Sequence, residues 1–137
     1  MENLKALLNL EPETFGVVRS AEGETVRFSR RGVADLFELV GSRPDFTCGA
    51  IIADRVIGRG AALLIVKGGF SGVYARLISR PALGVLVEAK IPVEYDTLAD
   101  NILNRDHSGI CPVERLTADI TDPEEAFKAI KRFLSKV

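Results

Sequence analysis

The sequence predicts an α/β protein, a three-layer α/β/α sandwich around a mixed sheet, preceded by an N-terminal helix and a β-hairpin. Three observations support this class. From Phe46 onward, short apolar runs alternate with helix-like segments, which is typical of strands joined by crossover helices. Two strand-like runs near the N-terminus flank a turn-forming segment. The 137 residues, of which 47% are hydrophobic and 27% charged, suffice for one globular domain over residues 1–137.

The first third of the chain predicts a helix, a hairpin and a second helix. Leucines at helical spacing lie between Asn3 and Leu10, and Glu11-Pro12 stops that helix. Strands at residues 14–20 and 25–29 form the hairpin, which we expect at one edge of the sheet. The second helix is expected to end at Gly41. Its apolar positions repeat at i, i+3, i+4 and i+7: Val33, Leu36, Phe37 and Val40.

The hairpin region is also locally basic. Its arginines are typical of a solvated face, with an anion site as the alternative: Arg19, Arg27, Arg30 and Arg31.

The middle of the chain predicts a repeated strand–helix pattern. Residues 46–53 read as a strand, Asp54-Arg55 as a turn, and Val56-Ile57 as a brief return to strand. The run Ala61 to Lys67 is apolar on nearly all sides. Its length and small residues favour a buried central helix, although residues 63–66 alone could form a strand. A strand at 73–78, a helix from Arg80 to Lys90 and a strand at 92–95 are expected to follow.

The last third predicts a helical turn over 97–103, a polar run from Asn104 to Glu114, and two helices. The first helix begins at Pro112 and the second at Asp122-Pro123, because proline suits the first helical position. The final helix carries one apolar stripe: Ala126, Phe127, Ile130, Phe133 and Leu134.

Charge and cysteine content restrict the class of partner and compartment. The formal net charge of −1 gives no reason to expect a nucleic acid or an anionic membrane as partner. The apolar runs are too short to span a bilayer. Two cysteines without a secretory signal favour free thiols in a reducing compartment, so a cytoplasmic location is expected.

Cys111 is the first candidate catalytic residue. Because Pro112 begins a helix, Cys111 is expected at its N-cap, where N–H groups and the helix dipole make a thiol easier to ionise. Glu114, three residues later, is where a capping-box carboxylate would reach back to Cys111. His107 and Asp106 lie just upstream. The group therefore offers a nucleophile with acid–base partners.

A plainer interpretation of the same residues stays open. Cysteine is often a small buried hydrophobe, Glu114 can be only a cap, and the residues before Cys111 have ordinary loop composition.

A ligand-binding interpretation uses other groups around the same run. The turn Gly58-Arg59-Gly60 can bring backbone N–H groups close to an anion, although close packing is the commoner reason for such glycines. Arginine forms paired hydrogen bonds with carboxylates and phosphates. The expected contacts to a small, anionic metabolite are Arg59, Asn104 and Arg105, with the backbone at Gly60 and Gly109.

Three segments resemble known families. Residues 46–54, Phe-Thr-Cys-Gly-Ala-Ile-Ile-Ala-Asp, resemble the first core strand of the cytidine deaminase fold. Residues 53–64 and 104–114 resemble a small prokaryotic family of unknown function that is similar in fold to the cytidine deaminases. The resemblance covers most of the chain and implies one cytidine-deaminase-like domain. It also implies a homo-oligomer, because deaminase-like folds commonly assemble.

The chain departs from that resemblance at the zinc ligands. Zinc deaminases carry His-x-Glu at the start of the central helix and Pro-Cys-x-x-Cys at the next one. The matching positions here are Gly60-Ala61-Ala62 and residues 81–85, Pro-Ala-Leu-Gly-Val. We therefore expect neither a metal site nor a cofactor.

Three functions follow from these observations. The first is a metal-independent enzyme that uses Cys111 on a small metabolite. The second is a non-catalytic module that binds a small ligand or regulates. A purely structural subunit is the third.

Overall fold

A computed structural model describes residues 1–103 and 108–136 of the chain. Four residues with predicted functional roles, Asn104, Arg105, Asp106 and His107, lie outside these residues. Five strands form one mixed sheet in the order β2-β1-β3-β4-β5. Their bounds are β1 (Gly16–Arg19), β2 (Thr25–Phe28), β3 (Ile51–Ile57), β4 (Gly72–Ser79) and β5 (Val93–Ala99).

The sheet combines an antiparallel edge with a parallel half. β1 pairs antiparallel with both β2 and β3, so the predicted hairpin does extend one edge. β3, β4 and β5 run parallel to one another. The mixed α/β class is therefore confirmed, and the parallel strands are joined by helices as crossover connections require.

Seven helices accompany the sheet in the described residues. They are α1 (Glu2–Leu10), α2 (Ala34–Ser42), α3 (Pro44–Thr47), α4 (Arg59–Gly68), α5 (Arg80–Glu88), α6 (Pro112–Leu116) and α7 (Pro123–Ser135). The larger core cluster lies between the sheet and α2, α4, α5 and α7. A smaller cluster joins α1 to the sheet, through Leu4, Leu8, Val17, Ala53 and Tyr74.

α4 is the central helix, as its composition predicts. Its residues from Gly60 to Ile65 are all buried, and it contacts α2, α5, α6 and α7. The helix ends where Gly69 adopts a left-handed conformation with φ of 77°, which glycine tolerates without a steric penalty. The position of the α4 N-terminus therefore depends on packing with several elements at once.

Two predicted boundaries around β3 are wrong. Phe46 and Thr47 belong to the helical turn α3, because Pro44 begins a helix, and the strand starts only at Ile51. Asp54 and Arg55 do not form a turn, since β3 continues through them to Ile57. Pairing with β1 and β4 on both sides holds this strand straight against the local preference of Asp-Arg for a turn.

The predicted helical turn over residues 97–103 is also wrong. β5 continues to Ala99, because Thr97, Leu98 and Ala99 pair in register with the last residues of β4. Leu103 instead forms an isolated antiparallel bridge with Ile110.

Two further observations concern helices. Gly41 does not end the second helix, which continues to Ser42, and the Phe127 ring lies against Gly41. Within residues 1–103 and 108–136, no helix combines the length and the apolar character needed to cross a membrane.

Candidate functional site

The carboxyl ends of the three parallel strands meet at one edge of the sheet. β3 ends just before Gly58, where α4 begins, and β4 ends at Ser79, where α5 begins. Ile102 follows β5 by three residues. In open α/β sheets, ligands bind preferentially outside the carboxyl ends of strands. The candidate site therefore consists of the residues at this edge.

A buried carboxylate connects all three strand ends. Glu114, only 5% exposed, is carried by α6. Its Oε1 accepts hydrogen bonds from the backbone N–H of Arg59 at 2.7 Å and from the Ser79 hydroxyl at 3.2 Å. Its Oε2 accepts from the backbone N–H of Ile102 at 2.9 Å. One side chain thus holds together the segments that follow β3, β4 and β5.

Glu114 supplies the N-terminal cap that α4 lacks. The N-cap residue of α4 is Gly58, which has no side chain to accept from the first-turn N–H groups. A negative charge at this position also interacts favourably with the helix dipole. Ser79 caps α5 in the usual way, accepting from Ala82 N–H, and its own hydroxyl donates to Glu114. The carboxylate therefore links the N-termini of two helices.

The predicted capping box at Cys111 is wrong. In the described part of the chain, α6 has no side-chain cap, and the backbone N–H of Cys111 donates to the Ile102 carbonyl at 2.7 Å. The carboxylate of Glu114 points away from its own helix, because the donors at the ends of β3, β4 and β5 satisfy both of its oxygens.

Two glycines allow α6 to approach this closely. A Cβ at Gly58 would lie 3.1 Å from Oε2 of Glu114 and 3.2 Å from Ile102. At Gly60 it would lie 2.5 Å from Cγ1 of Val113, a distance at which one of the two must move. The turn Gly58-Arg59-Gly60 is thus packed against protein, which is the commoner of the two roles that its composition allows.

Arg59 forms hydrogen bonds at the C-terminal end of α6. Its Nε donates to the Thr117 carbonyl at 2.8 Å, and its Nη2 donates to the Ile120 carbonyl at 2.6 Å. These carbonyls follow α6, where unpaired acceptors and the negative end of the dipole attract a cation. Arg59 and Glu114 therefore join α4 and α6 reciprocally.

Leu103 and Ile110, which flank the segment 104–109, lie beside the contacts between α4 and α6. The Leu103–Ile110 bridge and the bond from Cys111 N–H to Ile102 close the base of that segment. Cys111 and Gly109 are both half-buried there. The structure thus brings together Cys111, Glu114, Arg59 and Gly60 from the predicted site. Ser79 and Ile102 were missed, although Ser79 before Arg80-Pro81 is a recognisable helix start.

Asp54 is a second carboxyl group with a distinctive environment, and unlike Glu114 it was not predicted from the sequence. It lies in the middle of β3, where Gly16 and Ala75 are its neighbours on the adjoining strands. Burial raises the pKa of Asp54 from its ordinary value of 3.8 to about 7, against the N–H groups of Val56 and Arg55 and the positive charge of Arg55. An acid within the apolar run 51–57 is the sequence signal that could have identified it.

We expect the Asp54→Asn variant to lose part of the pH dependence of folding. The raised pKa means that the folded state keeps its proton between about pH 4 and pH 7 while the unfolded state loses it, so stability falls as pH rises through this window. Replacing the ionisable carboxyl with an amide should raise the free energy of unfolding by about 2 kcal/mol at about pH 8 and leave it nearly unchanged at about pH 4. Urea unfolding at both pH values measures this. Asp45→Asn, at an exposed position, is the control, and equal effects for the two variants would contradict the assignment.

The described residues do not form a recognisable metal site. Within residues 1–103 and 108–136, no group of three or more histidine, cysteine, aspartate or glutamate side chains could hold a metal ion. The starts of α4 and α5 carry Gly60-Ala61-Ala62 and Pro81-Ala82 instead of nitrogen or sulfur ligands.

A family model described as TM1506, a domain of unknown function (DUF1893), matches residues 5–134. The crystal structure of a DUF1893 family protein (TM1506) from Thermotoga maritima is similar, with a TM-score of 0.81 and 25% sequence identity. The match covers 100% of this chain and 92% of that chain. No curated protein matches the chain.

Proposed function

Since the chain belongs to the DUF1893 family, a domain of unknown function, we propose its function from its own geometry: a metal-free, non-catalytic module of deaminase-like fold that binds a small ligand. The ligand lies at the carboxyl ends of β3, β4 and β5, beside Gly109 and Cys111. The observation that carries this proposal is the arrangement of Glu114, which fixes the segments at the carboxyl ends of the three strands.

The same arrangement argues against zinc deamination. In zinc deaminases the ligands and the proton-transferring glutamate come from the starts of two helices at this edge. Here those helix starts lack the ligands, and a carboxylate from α6 links them instead. Both oxygens of Glu114 accept hydrogen bonds from other segments, which suits a positioning residue better than a proton shuttle.

We assign ligand contact to residues of the segment 104–109 and support of the site to Arg59 and Gly60. Arg59 donates to carbonyls that follow α6, and Gly60 packs against α6, so both residues support the site from within the fold. Asn104, Arg105 and the backbone at Gly109 remain the proposed ligand contacts, and Arg105 favours a carboxylate or phosphate. This division differs from the sequence prediction, which counted all five among the contacts.

A thermal-shift experiment with a defined panel tests the proposal. We expect at least one member of a panel of nucleosides, nucleoside phosphates and small dicarboxylates to raise the unfolding midpoint, since a ligand that binds only the native state must stabilise it. The response should be weaker in Arg105→Ala and unchanged in Arg115→Ala, an exposed arginine of α6. The proposal fails if no compound in the panel shifts the midpoint, or if both variants respond like the parent protein.

A thiol-dependent enzyme is the second candidate, because Cys111 lies in the polar run and is half-buried at the N-cap of α6. On the non-catalytic proposal, the reactivity of the two cysteines follows exposure alone. Cys48 is exposed, so the Cys111→Ser variant, which retains Cys48, should react with iodoacetamide faster than the Cys48→Ser variant. The reverse order, with Cys111 reacting faster, would favour the enzyme. The expected homo-oligomer stays a prediction for size-exclusion chromatography.

A further inference from the structure

A groove lies at the lateral edge of the sheet that β2 forms, between β2 and helix α2. Its volume is about 310 Å³. Residues from both elements line it: Val26, Arg27, Phe28 and Ser29 from the strand side, and Asp35, Glu38, Leu39, Ser42 and Arg43 from the helix side. The proposed small-ligand site is two strands away, beyond β1 and at the end of β3.

One wall of the groove is an unpaired strand edge. Among the described strands, β2 has β1 as its single neighbour. Ser20 N–H donates to the Glu24 carbonyl at 2.8 Å, and hydrogen-bonded pairs alternate along an antiparallel ladder, so Val18–Val26 is the next such pair. The N–H and carbonyl of Arg27 therefore point away from β1, toward the open edge. An added strand could pair there.

The floor of the groove is apolar. Phe28 and Leu39 are only 4% and 8% exposed, and the half-buried Val26 packs with them against the main core. In strand addition, alternate side chains of the added peptide contact a surface of this kind.

A partly available arginine marks one end of the groove. Arg43 lies over the ring of Phe46, 4.4 Å from its centroid, which holds the guanidinium in place. Its Nη2 forms an ion pair with Oε2 of Glu24 at 3.3 Å, between side chains that are 44% and 59% exposed. An exposed pair of this kind contributes little and is readily exchanged for another carboxylate. At the other end, Asp35 already accepts from Arg30 and from two backbone N–H groups.

We propose that the β2–α2 groove binds an extended peptide segment of another protein. The peptide pairs with the outer edge of β2, places an apolar side chain on the floor formed by Val26, Phe28 and Leu39, and presents a carboxylate to Arg43. Edge-strand addition of this kind takes its affinity from backbone hydrogen bonds and its selectivity from alternate side chains.

Fluorescence anisotropy with labelled peptides tests the proposal. The probes alternate threonine with valine, isoleucine, leucine or phenylalanine, and each is made with a terminal glutamate or a terminal lysine. We expect the glutamate series to bind better. Arg27→Pro removes an N–H that β1 does not use, so the domain should still fold while peptide affinity falls by about tenfold. Arg27→Ala, which keeps that N–H, is the matched control and should bind like the parent protein. Arg43→Glu should reverse the preference in favour of the lysine series.

Amide shift mapping by NMR locates the peptide. Changes concentrated on residues 25–29 and 34–43 support the proposal. It is overturned if none of the peptides binds, if Arg27→Pro and Arg27→Ala bind equally, or if the shifts map to β5. Concentration-dependent dimers that Arg27→Pro abolishes would also overturn it, since the occupant would then be a second copy of this chain. None of these outcomes depends on the ligand site beside Cys111.

Discussion

Replacement of Glu114 with alanine is expected to lower the free energy of unfolding by about 4 kcal/mol. The change leaves one buried donor, the hydroxyl of Ser79, and two partly buried donors, the N–H groups of Arg59 and Ile102, without their acceptor. Each unpaired buried donor costs about 1–3 kcal/mol, reduced where water can enter. The total is a large fraction of the roughly 5–15 kcal/mol typical of a domain. Urea unfolding monitored by circular dichroism measures the loss.

Two variants separate this effect from the general effect of removing a glutamate. Glu114→Gln keeps one carbonyl acceptor and should lose about half as much stability. Glu88→Ala removes an exposed glutamate at the end of α5 and should change stability by less than about 0.5 kcal/mol. A Glu114→Ala variant as stable as Glu88→Ala would show that the carboxylate does not join the strand ends.

The second large effect is expected at Gly60. In Gly60→Ala the new Cβ would lie 2.5 Å from Cγ1 of Val113, so the Val113 side chain or one of the two helices must shift. Overpacking of this kind costs about 2 kcal/mol. It should also disturb the bond from Arg59 N–H to Glu114, because that bond crosses the same interface. Thermal and urea unfolding of the variant measure the loss.

A helical glycine elsewhere in the chain provides the matched control. A methyl group at Gly84, in α5, would meet no atom of the described residues within 4 Å, so Gly84→Ala should stabilise the protein by about 0.5–1 kcal/mol. Val113→Ala in the Gly60→Ala background removes the clashing methyl group and should recover part of the stability. Stabilisation by Gly60→Ala similar to that at Gly84 would contradict the close packing of α6 on α4.

The sequence predicted the elements whose signals are local. Periodicity identified α1, α2 and α7, an all-round apolar run identified α4, and turn composition identified the β1–β2 hairpin. The errors fall where tertiary pairing overrides local preference. Asp54-Arg55 reads as a turn, yet two neighbouring strands hold it in β3. Residues 97–99 read as helical, yet they pair with the end of β4.

The candidate site was predicted in part. Cys111, Arg59, Gly60 and Glu114 were selected from sequence and do meet at one edge of the sheet. Their relationships were not predictable, because the partners of Glu114 lie 12, 35 and 55 residues away in the chain. A capping box assumes a partner three residues away, whereas the fold supplies donors from the ends of three strands.

Native-state hydrogen exchange at the amides of Arg59 and Ile102 tests the central claim, that Glu114 joins the ends of the parallel strands, most directly. In Glu114→Ala, which removes both acceptor oxygens, we expect these two amides to exchange at least about tenfold faster relative to the amides inside β3 and β4, which change only by the global loss of stability. Unchanged protection of Arg59 and Ile102 relative to the rest of the sheet would contradict the claim.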